Sequence, residues 1–477
     1  MNQAIKKRPR SVRGTTKINM CEGKIMPQLI KFALPLMVTG VLQVLFNAAD
    51  IIIVGKFAEN SERSLAAVGA TGPLIALIVN LFIGLSVGTN VLCARYFGAK
   101  EHENLSKTVH TSMIVSVAIG ILLMTIGFFG AEFFLSLMSV PPEALQLSTL
   151  YLKIYFLGMI PMLIYNFAAA ILRSVGDTKR PMYFLLLAGV VNVLLNLLLV
   201  IVFHLDVAGV AIATVASHII SATLTVICLI RDDGSIKLCL SLLKCDRHKL
   251  MQIIRIGLPA GLQSTMFNIA NVIIQSSLNA YDIAVTGGTG VIVAGCSAAS
   301  SIEGIVFTAM DSVYQAVVSF TSQNFGMRNY KRIKKAQLYG QALVIIVGVT
   351  LCAICFIFAE QLVGLYADKE SIEAITIGAN RLRLVGGTCF IYGCSSIIVA
   401  TIRGLGYSMI PMITSLICVC GARLVWIATA FQRWYDIYVL YMSFPISYVL
   451  SLIVQGICLI FVLKNVVKKY PTFDELG

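Results

Sequence analysis

One carboxylate lies within the first long apolar stretch of the chain, where a charged group is energetically unfavourable. Residues 30–54 are long enough to cross a bilayer as a helix, and they include Asn47 and Asp50. A charge at that depth costs about 3 kcal/mol, so such a side chain normally faces a cavity or a partner. Pro35 removes a backbone hydrogen bond near the start of the same helix and allows a bend there. The stretch predicts an element that couples a buried acid to helix bending; the alternative is an acid near the helix end that reaches the interface.

Two asparagines and two further acids also lie in apolar stretches. Asn192 and Asn196 are four residues apart and share one helix face, where they could form interhelical hydrogen bonds or take part in ion coupling. Glu303 and Asp311 are eight residues apart, about 80° around a helix, so both could face one cavity. For Glu303, ion pairing and ligand binding stay equally open, and pairing is favoured for Asp311. The available counter-charges are Arg381, Arg383 and Arg423.

Composition places these residues in a membrane protein. The 477 residues are 58% hydrophobic and 13% charged, with a mean hydropathy of +0.86, which leaves no sizeable soluble domain. Most of the thirteen cysteines lie in apolar runs, so the pair Cys352 and Cys355 is expected to pack rather than to bind a metal. The basic N-terminus has no short apolar region with a cleavage site, so no signal peptide is expected.

Apolar runs between charged or Gly/Pro-marked breaks predict an all-α polytopic protein with twelve transmembrane helices. The segments expected inside the cell hold 29 Lys and Arg residues and those expected outside hold four, which predicts that both termini are cytoplasmic. The predicted domains are a basic tail (1–26), two six-helix lobes (27–230 and 253–463), a linker (231–252) and a second tail (464–477). The predicted spans are 27–55, 67–94, 109–134, 148–172, 182–203, 207–230, 253–281, 290–322, 337–359, 376–402, 408–431 and 437–463.

The two halves resemble each other in sequence. The motifs that begin at Lys31, Phe97 and Arg173 recur 224, 228 and 230 residues later. An even number of spans in each half makes the repeat parallel, with a pseudo-twofold axis along the membrane normal. We therefore expect a ligand site between the halves, near the midplane.

The order of these motifs resembles the multidrug and toxic compound extrusion (MATE) family, bacterial type, over nearly the whole chain. The motifs that carry the resemblance are Leu34-Pro35, Asn47-Ala-Ala-Asp50-Ile-Ile-Ile-Val-Gly55, Leu65-Ala-Ala-Val-Gly69, Ala94-Arg-Tyr-Phe-Gly98, Leu172-Arg-Ser-Val-Gly-Asp-Thr-Lys-Arg-Pro181 and Ser322-Gln-Asn-Phe-Gly326. The resemblance implies antiport, in which cation entry drives expulsion of amphipathic, often cationic, compounds. It also implies Pro35 as the bending proline and a cation-coupling cluster made of Asp50, Tyr151, Asn166, Asn192, Asn196 and Thr214.

This sequence departs from the family at Asn196, where many relatives carry a second acid. A lone acid away from water binds a proton more readily, whereas the same acid with Asn, Thr and Tyr oxygens could bind sodium. Proton and sodium coupling therefore both stay open. Sodium at Asp50 is the one metal ion that the residues allow, and no other cofactor is expected.

Three other functions fit the sequence less well. A flippase for a lipid-linked precursor would need many cationic residues around the cavity, and the spans hold only a few, so it ranks second. A membrane enzyme would need a large hydrophilic loop with catalytic residues, and the outer loops are short. A channel is disfavoured because no charged ring repeats. We expect a monomer in the bacterial cytoplasmic membrane that contacts lipid and an amphipathic small molecule, and that binds no nucleic acid.

Overall fold

The computed structural model describes residues 17–57, 61–138, 140–366 and 371–471, and these residues form an all-helical protein. The first seven helices are α1 (Ile25–Phe57), α2 (Ser61–Gly98), α3 (His102–Leu137), α4 (Pro142–Leu157), α5 (Met159–Ser174), α6 (Lys179–Leu197) and α7 (Asp206–Ile230). The remaining ten are α8 (Arg247–Thr286), α9 (Val291–Gly326), α10 (Tyr330–Ile357), α11 (Ala359–Val363), α12 (Ile372–Leu384), α13 (Cys389–Gly404), α14 (Met409–Ser415), α15 (Ala422–Trp426), α16 (Gln432–Trp434) and α17 (Ile437–Lys469).

Ten helical segments of the described chain are long and apolar enough to cross a membrane, and a bent pair raises the number to eleven. The pair is α4 and α5, which meet at Gly158 with a bend of 45° between Ala144–Leu157 and Met159–Ser174. The apolar pattern predicts one span over 148–172 but not the bend within it. The expected seventh span lies in α8, which has 40 residues but carries too many polar side chains to qualify by composition.

Two predicted spans contain π-helical turns. Helix α6 continues into such a turn at Leu198–Val202. Two more, Leu416–Gly421 and Ile427–Phe431, interrupt the segment between Met409 and Trp434. A π-turn inserts one extra residue into a helix and often occurs at functional sites. The apolar pattern predicts these spans but not the wider turns within them.

Glycines allow α2 and α8 to pack closely. A Cβ atom at Gly84 would lie 2.2 Å from the backbone nitrogen of Gly261, and one at Gly88 would lie 2.4 Å from a carbonyl oxygen of Ile253. Both helices repeat glycine every fourth residue at this contact, at Gly84 and Gly88 and at Gly257 and Gly261, a spacing typical of tight packing between membrane helices.

The segment 17–24, which we call the strap, contacts both the chain that follows α7 and the first turn of α10. Lys17 Nζ lies 2.9 Å from a carboxylate oxygen of Asp232, and the Met20 carbonyl oxygen accepts a hydrogen bond of 3.0 Å from Arg332. Burial raises the pKa of Asp232, but the bonds from Lys17 and the neighbouring backbone hold it below its usual value overall. The predicted tail's residues 1–16 lie outside the described residues, and 25–26 belong to α1.

The repeated motifs share a local backbone shape. Gly176 and Gly406 both have a positive φ, +88° and +92°, and Lys100 and Arg328 have φ of 59° and 55°. Each pair is separated by the spacing of its sequence motif, 230 and 228 residues. A positive φ is rare in lysine and arginine, so its recurrence at matched positions is specific evidence of a local repeat.

Candidate functional site

Three of the predicted residues form a hydrogen-bonded chain between α1 and α6. Asn196 Nδ2 donates to Asp50 Oδ1 at 2.5 Å and also lies 3.3 Å from Asn192 Oδ1. Asn192 and Asn196 are buried and Asp50 is half-buried. Asn196 Oδ1 is itself buried and has no hydrogen-bond partner among the described residues. The cluster thus combines one carboxylate with a free amide oxygen.

The other predicted members lie at different distances from this chain. Tyr151 is buried in the apolar cluster that contains Ile53 and Val54, which lie on α1 within about one turn of Asp50. Thr214 donates to the Val210 carbonyl oxygen of its own helix at 2.9 Å. Asn166 donates to its own helix as well, to the Met162 carbonyl oxygen at 2.9 Å. Among the described residues, no hydrogen bond joins Thr214 or Asn166 to Asp50.

Pro35 lies within an unbroken α1, where it is buried. The Thr39 hydroxyl donates to the Pro35 carbonyl oxygen at 2.8 Å, a bond within the helix just after the proline. Since the ring of Pro35 leaves one carbonyl of the preceding turn without its helical partner, this is where α1 resists bending least.

A central cavity of about 600 Å³ lies where α1, α2, α5, α8, α9 and α13 meet. Asn166 lines it, and so does Asp311, whose carboxylate accepts a hydrogen bond of 2.9 Å from Gln315. Asp311 forms no salt bridge with a described residue, so the pairing expected for it is wrong: its side chain projects into the open cavity rather than between helices. Arg173 and Arg403 line the same space.

A second cavity of about 330 Å³ lies among α8, α9, α12 and α17. Glu303 lines it and forms two hydrogen bonds of 3.2 Å with Arg381, both residues being buried. Glu303 and Asp311 therefore line neighbouring cavities, not a single one as their spacing allowed. Arg423 also lines the second cavity and is 5% exposed.

Sequence reasoning missed the two arginines of the central cavity. Arg173 and Arg403 lie in the last turns of α5 and α13. Both directly follow the predicted spans 148–172 and 376–402, so the charge count places them among the basic residues expected inside the cell. Arg403 donates hydrogen bonds to the Tyr314 hydroxyl and, at 2.6 Å, to Gln263 Oε1. The signal was available, since both arginines begin the third repeated motif and so occupy matched positions.

The MatE family model matches residues 35–198 and 268–428. The chain belongs to the multidrug and toxic compound extrusion (MATE) family. The two matched regions contain most of the Asp50 cluster and most of the second cavity's lining.

MATE relatives match over most of their length. The chain is 26% identical over 434 residues to the "Probable multidrug resistance protein YoeA" of Bacillus subtilis, covering 88% of this chain and 90% of that protein. It is 25% identical over 411 residues to the "Probable multidrug resistance protein NorM" of Thermotoga maritima, covering 84% of each. An outward-facing MATE transporter structure is similar in fold, with a TM-score of 0.85 at 23% identity, covering 97% of this chain and 100% of that one.

Membership of a MATE transporter family, together with ten or eleven helices able to span a bilayer, makes this a multi-pass membrane transporter. Its relatives are multidrug resistance proteins, which supports multidrug efflux. No group of three or more His, Cys, Asp or Glu side chains suited to a metal occurs in the described part of the chain.

Proposed function

We propose that this protein is a secondary active exporter, in which entry of a proton or a sodium ion drives export of amphipathic organic compounds. The observation that carries the proposal is the Asp50 cluster. Asp50 has a neutral amide as its hydrogen-bond partner, and Asn196 Oδ1 beside it is buried without one. A buried oxygen that lacks a partner is costly, and either a protonated carboxyl group or a bound cation would provide one.

The described helices support an arrangement of two six-helix lobes. Adding α8 to the eleven apolar segments gives twelve spans, and its 40 residues exceed the length that a bilayer requires. Its polar side chains Gln263 and Ser264 line the central cavity, so they do not face lipid. The paired family matches and the repeated backbone turns favour the same arrangement. The excess of Lys and Arg in the segments expected inside the cell supports our proposal that both termini are in the cytoplasm of a bacterial plasma membrane. We also propose the monomer as the working unit.

Alternating access follows from a difference in cation affinity between two conformations. A ligand shifts a conformational equilibrium only through its differential affinity for the two states. In our proposal, the outward-open state exposes Asp50 to the cation, neutralisation of the acid lets α1 bend at Pro35, and the bend reshapes the site so that the bound compound leaves. Tyr151, Asn166 and Thr214 are proposed to join the cluster in one of those states.

The test is transport into everted membrane vesicles under an imposed proton or sodium gradient. We would follow one fluorescent cation, ethidium, and one fluorescent anion, carboxyfluorescein, with wild-type protein and Asp50→Asn. The matched control is Asp233→Asn, which removes an exposed acid outside the helices. We expect either the proton or the sodium gradient to raise dye uptake at least tenfold above uptake without a gradient. Asp50→Asn should abolish that stimulation. Full stimulation in Asp50→Asn would exclude Asp50 as the coupling group.

A flippase for an anionic lipid-linked precursor is the second candidate. The observation that favours it is the presence of four arginines, Arg173, Arg381, Arg403 and Arg423, around the two cavities. Movement of a fluorescent lipid diphosphate between leaflets of proteoliposomes, without transport of either dye, would select this function over multidrug export.

A further inference from the structure

The second cavity holds a cation that its surroundings leave uncompensated. Arg423 Nε donates to Ser447 Oγ at 3.0 Å, and Nη1 lies 3.5 Å from Asn271 Oδ1. Among the described residues, Arg423 forms no salt bridge within 4 Å, and both of these hydrogen-bond partners are neutral. Because a buried charge needs a partner of opposite sign, Arg423 points to a ligand that the protein does not itself supply.

The one acid of this cavity is already used. Glu303 binds Arg381 through both carboxylate oxygens, in the paired geometry that satisfies a guanidinium best. The charged residues of the lining are therefore one ion pair and one further arginine, with a net charge of +1. The central cavity has the same excess, since Arg173 and Arg403 face Asp311 alone. A cationic compound would meet net repulsion in both spaces.

Aromatic rings surround the free guanidinium. The Arg423 carbon Cζ lies 4.3 Å from the centre of the Phe444 ring and 5.4 Å from that of Tyr448. These rings hold Arg423 by cation–π attraction without neutralising its charge. Phe307 and Tyr392, whose ring centres are 5.2 Å apart, line both cavities and form the wall between them. A volume of about 330 Å³ with aromatic walls suits the apolar body of a small ligand.

We propose that the second cavity is a binding site for an amphipathic organic anion, with the carboxylate, sulfonate or phosphate of the ligand on Arg423 and its apolar body against Phe444, Tyr448 and the Phe307–Tyr392 wall. The same chemistry is offered by a soluble organic acid and by an acidic lipid. The proposal that an anion binds here rests on the geometry alone. Only the further step, that this anion is an exported compound, rests on the proposed function. The resemblance to the family implies cationic compounds, so an anion would be an additional class of ligand.

Binding is measured without any gradient, so that failure of the proposed transport leaves the result unaffected. The full chain would be placed in nanodiscs of phosphatidylcholine with Trp434→Phe, which leaves Trp426 as the single tryptophan, three residues from Arg423. Energy transfer from Trp426 to a dansyl group reports binding of dansylglycine, an anion, and of dansylcadaverine, a cation with the same fluorophore. Arg423→Gln removes the charge, Arg423→Lys retains it without the planar fork, and Arg433→Gln removes an exposed charge further along the same span.

We expect dansylglycine to bind at least tenfold more tightly than dansylcadaverine. Arg423→Gln should weaken dansylglycine at least tenfold and leave dansylcadaverine unchanged, with Arg423→Lys in between and Arg433→Gln like the parent. Should Arg423→Gln fail to fold, Arg423→Lys and the ligand comparison still decide. Equal binding of the two ligands by the parent, or equal effects of Arg423→Gln and Arg433→Gln, would overturn the proposal and leave Arg423 as a packing residue.

A final measurement distinguishes a soluble organic acid from an acidic lipid as the bound anion. Replacing a third of the lipid by phosphatidylglycerol should weaken dansylglycine several-fold in the parent if an acidic lipid fills the site. In that case Arg423→Gln should show no such lipid effect. Unchanged dansylglycine binding in phosphatidylglycerol would assign the site to soluble organic anions.

Discussion

Asp50 and Glu303 are both acids within membrane helices, yet the chain surrounds them differently. Asp50 has a neutral partner in Asn196, and the neighbouring Asn196 oxygen is left without a hydrogen bond. Glu303 is buried against Arg381, which occupies both of its carboxylate oxygens. An acid held by a neutral group can exchange a proton or a cation, whereas an acid locked to a guanidinium contributes to structure. What an acid in a membrane helix can do therefore depends on its partner.

Removing the acid of the Glu303–Arg381 pair should have the largest effect on stability. Glu303→Gln leaves Arg381 buried without a counter-charge, so we expect the free energy of unfolding to fall by about 3–5 kcal/mol. Denaturant unfolding in detergent would measure it. The double variant Glu303→Gln/Arg381→Met should recover most of the loss, because no charge then remains buried. A single variant as stable as wild type would mean that the pair is not a structural unit.

Forcing α2 and α8 apart should give the second-largest loss of stability. These helices belong to different predicted lobes, so their contact joins the lobes. Gly84→Ala places a methyl group against the backbone of Gly261, and we expect a loss of about 1–3 kcal/mol in the same measurement. Gly69→Ala on the same helix is the control, because no described atom lies within 4 Å of the added carbon. Equal losses in the two variants would contradict close packing of α2 on α8.

Asp50→Asn should change stability by less than about 1 kcal/mol, because the amide oxygen can still accept the Asn196 hydrogen bond. The same variant should lose gradient-driven transport. Thermal unfolding in detergent, run beside the vesicle assay, checks both statements. A loss as large as that of Glu303→Gln would remove the distinction between an exchangeable and a structural acid.

The smallest effect is expected two residues from Arg381. Arg383 Nη2 lies 2.9 Å from Glu360 Oε1, but both side chains are substantially exposed. Arg383→Gln should therefore cost less than about 1 kcal/mol, and the cost should shrink further in high salt. An effect comparable to that of Glu303→Gln would show that burial is not what makes the Arg381 pair strong.

The sequence predicted the members of the Asp50 cluster better than their counterparts in the second cavity. Asn192 and Asn196 share a helix face by spacing alone, and an acid in an apolar stretch is conspicuous. The partner of Glu303 could not be chosen in the same way, since Arg381 is 78 residues distant and two other arginines were available. Pairing over such a distance depends on how whole helices cross, which no local pattern encodes.

The same limit explains the misplaced arginines and the missed bend. Arg173 and Arg403 fall at the ends of apolar runs, where a basic residue normally marks the cytoplasmic boundary. Here the last helical turns carry them into the central cavity instead. The bend at Gly158 is invisible to hydropathy, because the apolar run continues across this residue without a charged break.

The polar character of α8 has a consequence for how the protein is made. A segment with this many amides and hydroxyls would not partition into lipid efficiently as an isolated helix. Its glycines, however, fit against α2, which the ribosome delivers earlier. Integration of α8 should therefore depend on the first lobe being present at the translocon, and a chain that begins at the linker should leave this helix outside the bilayer.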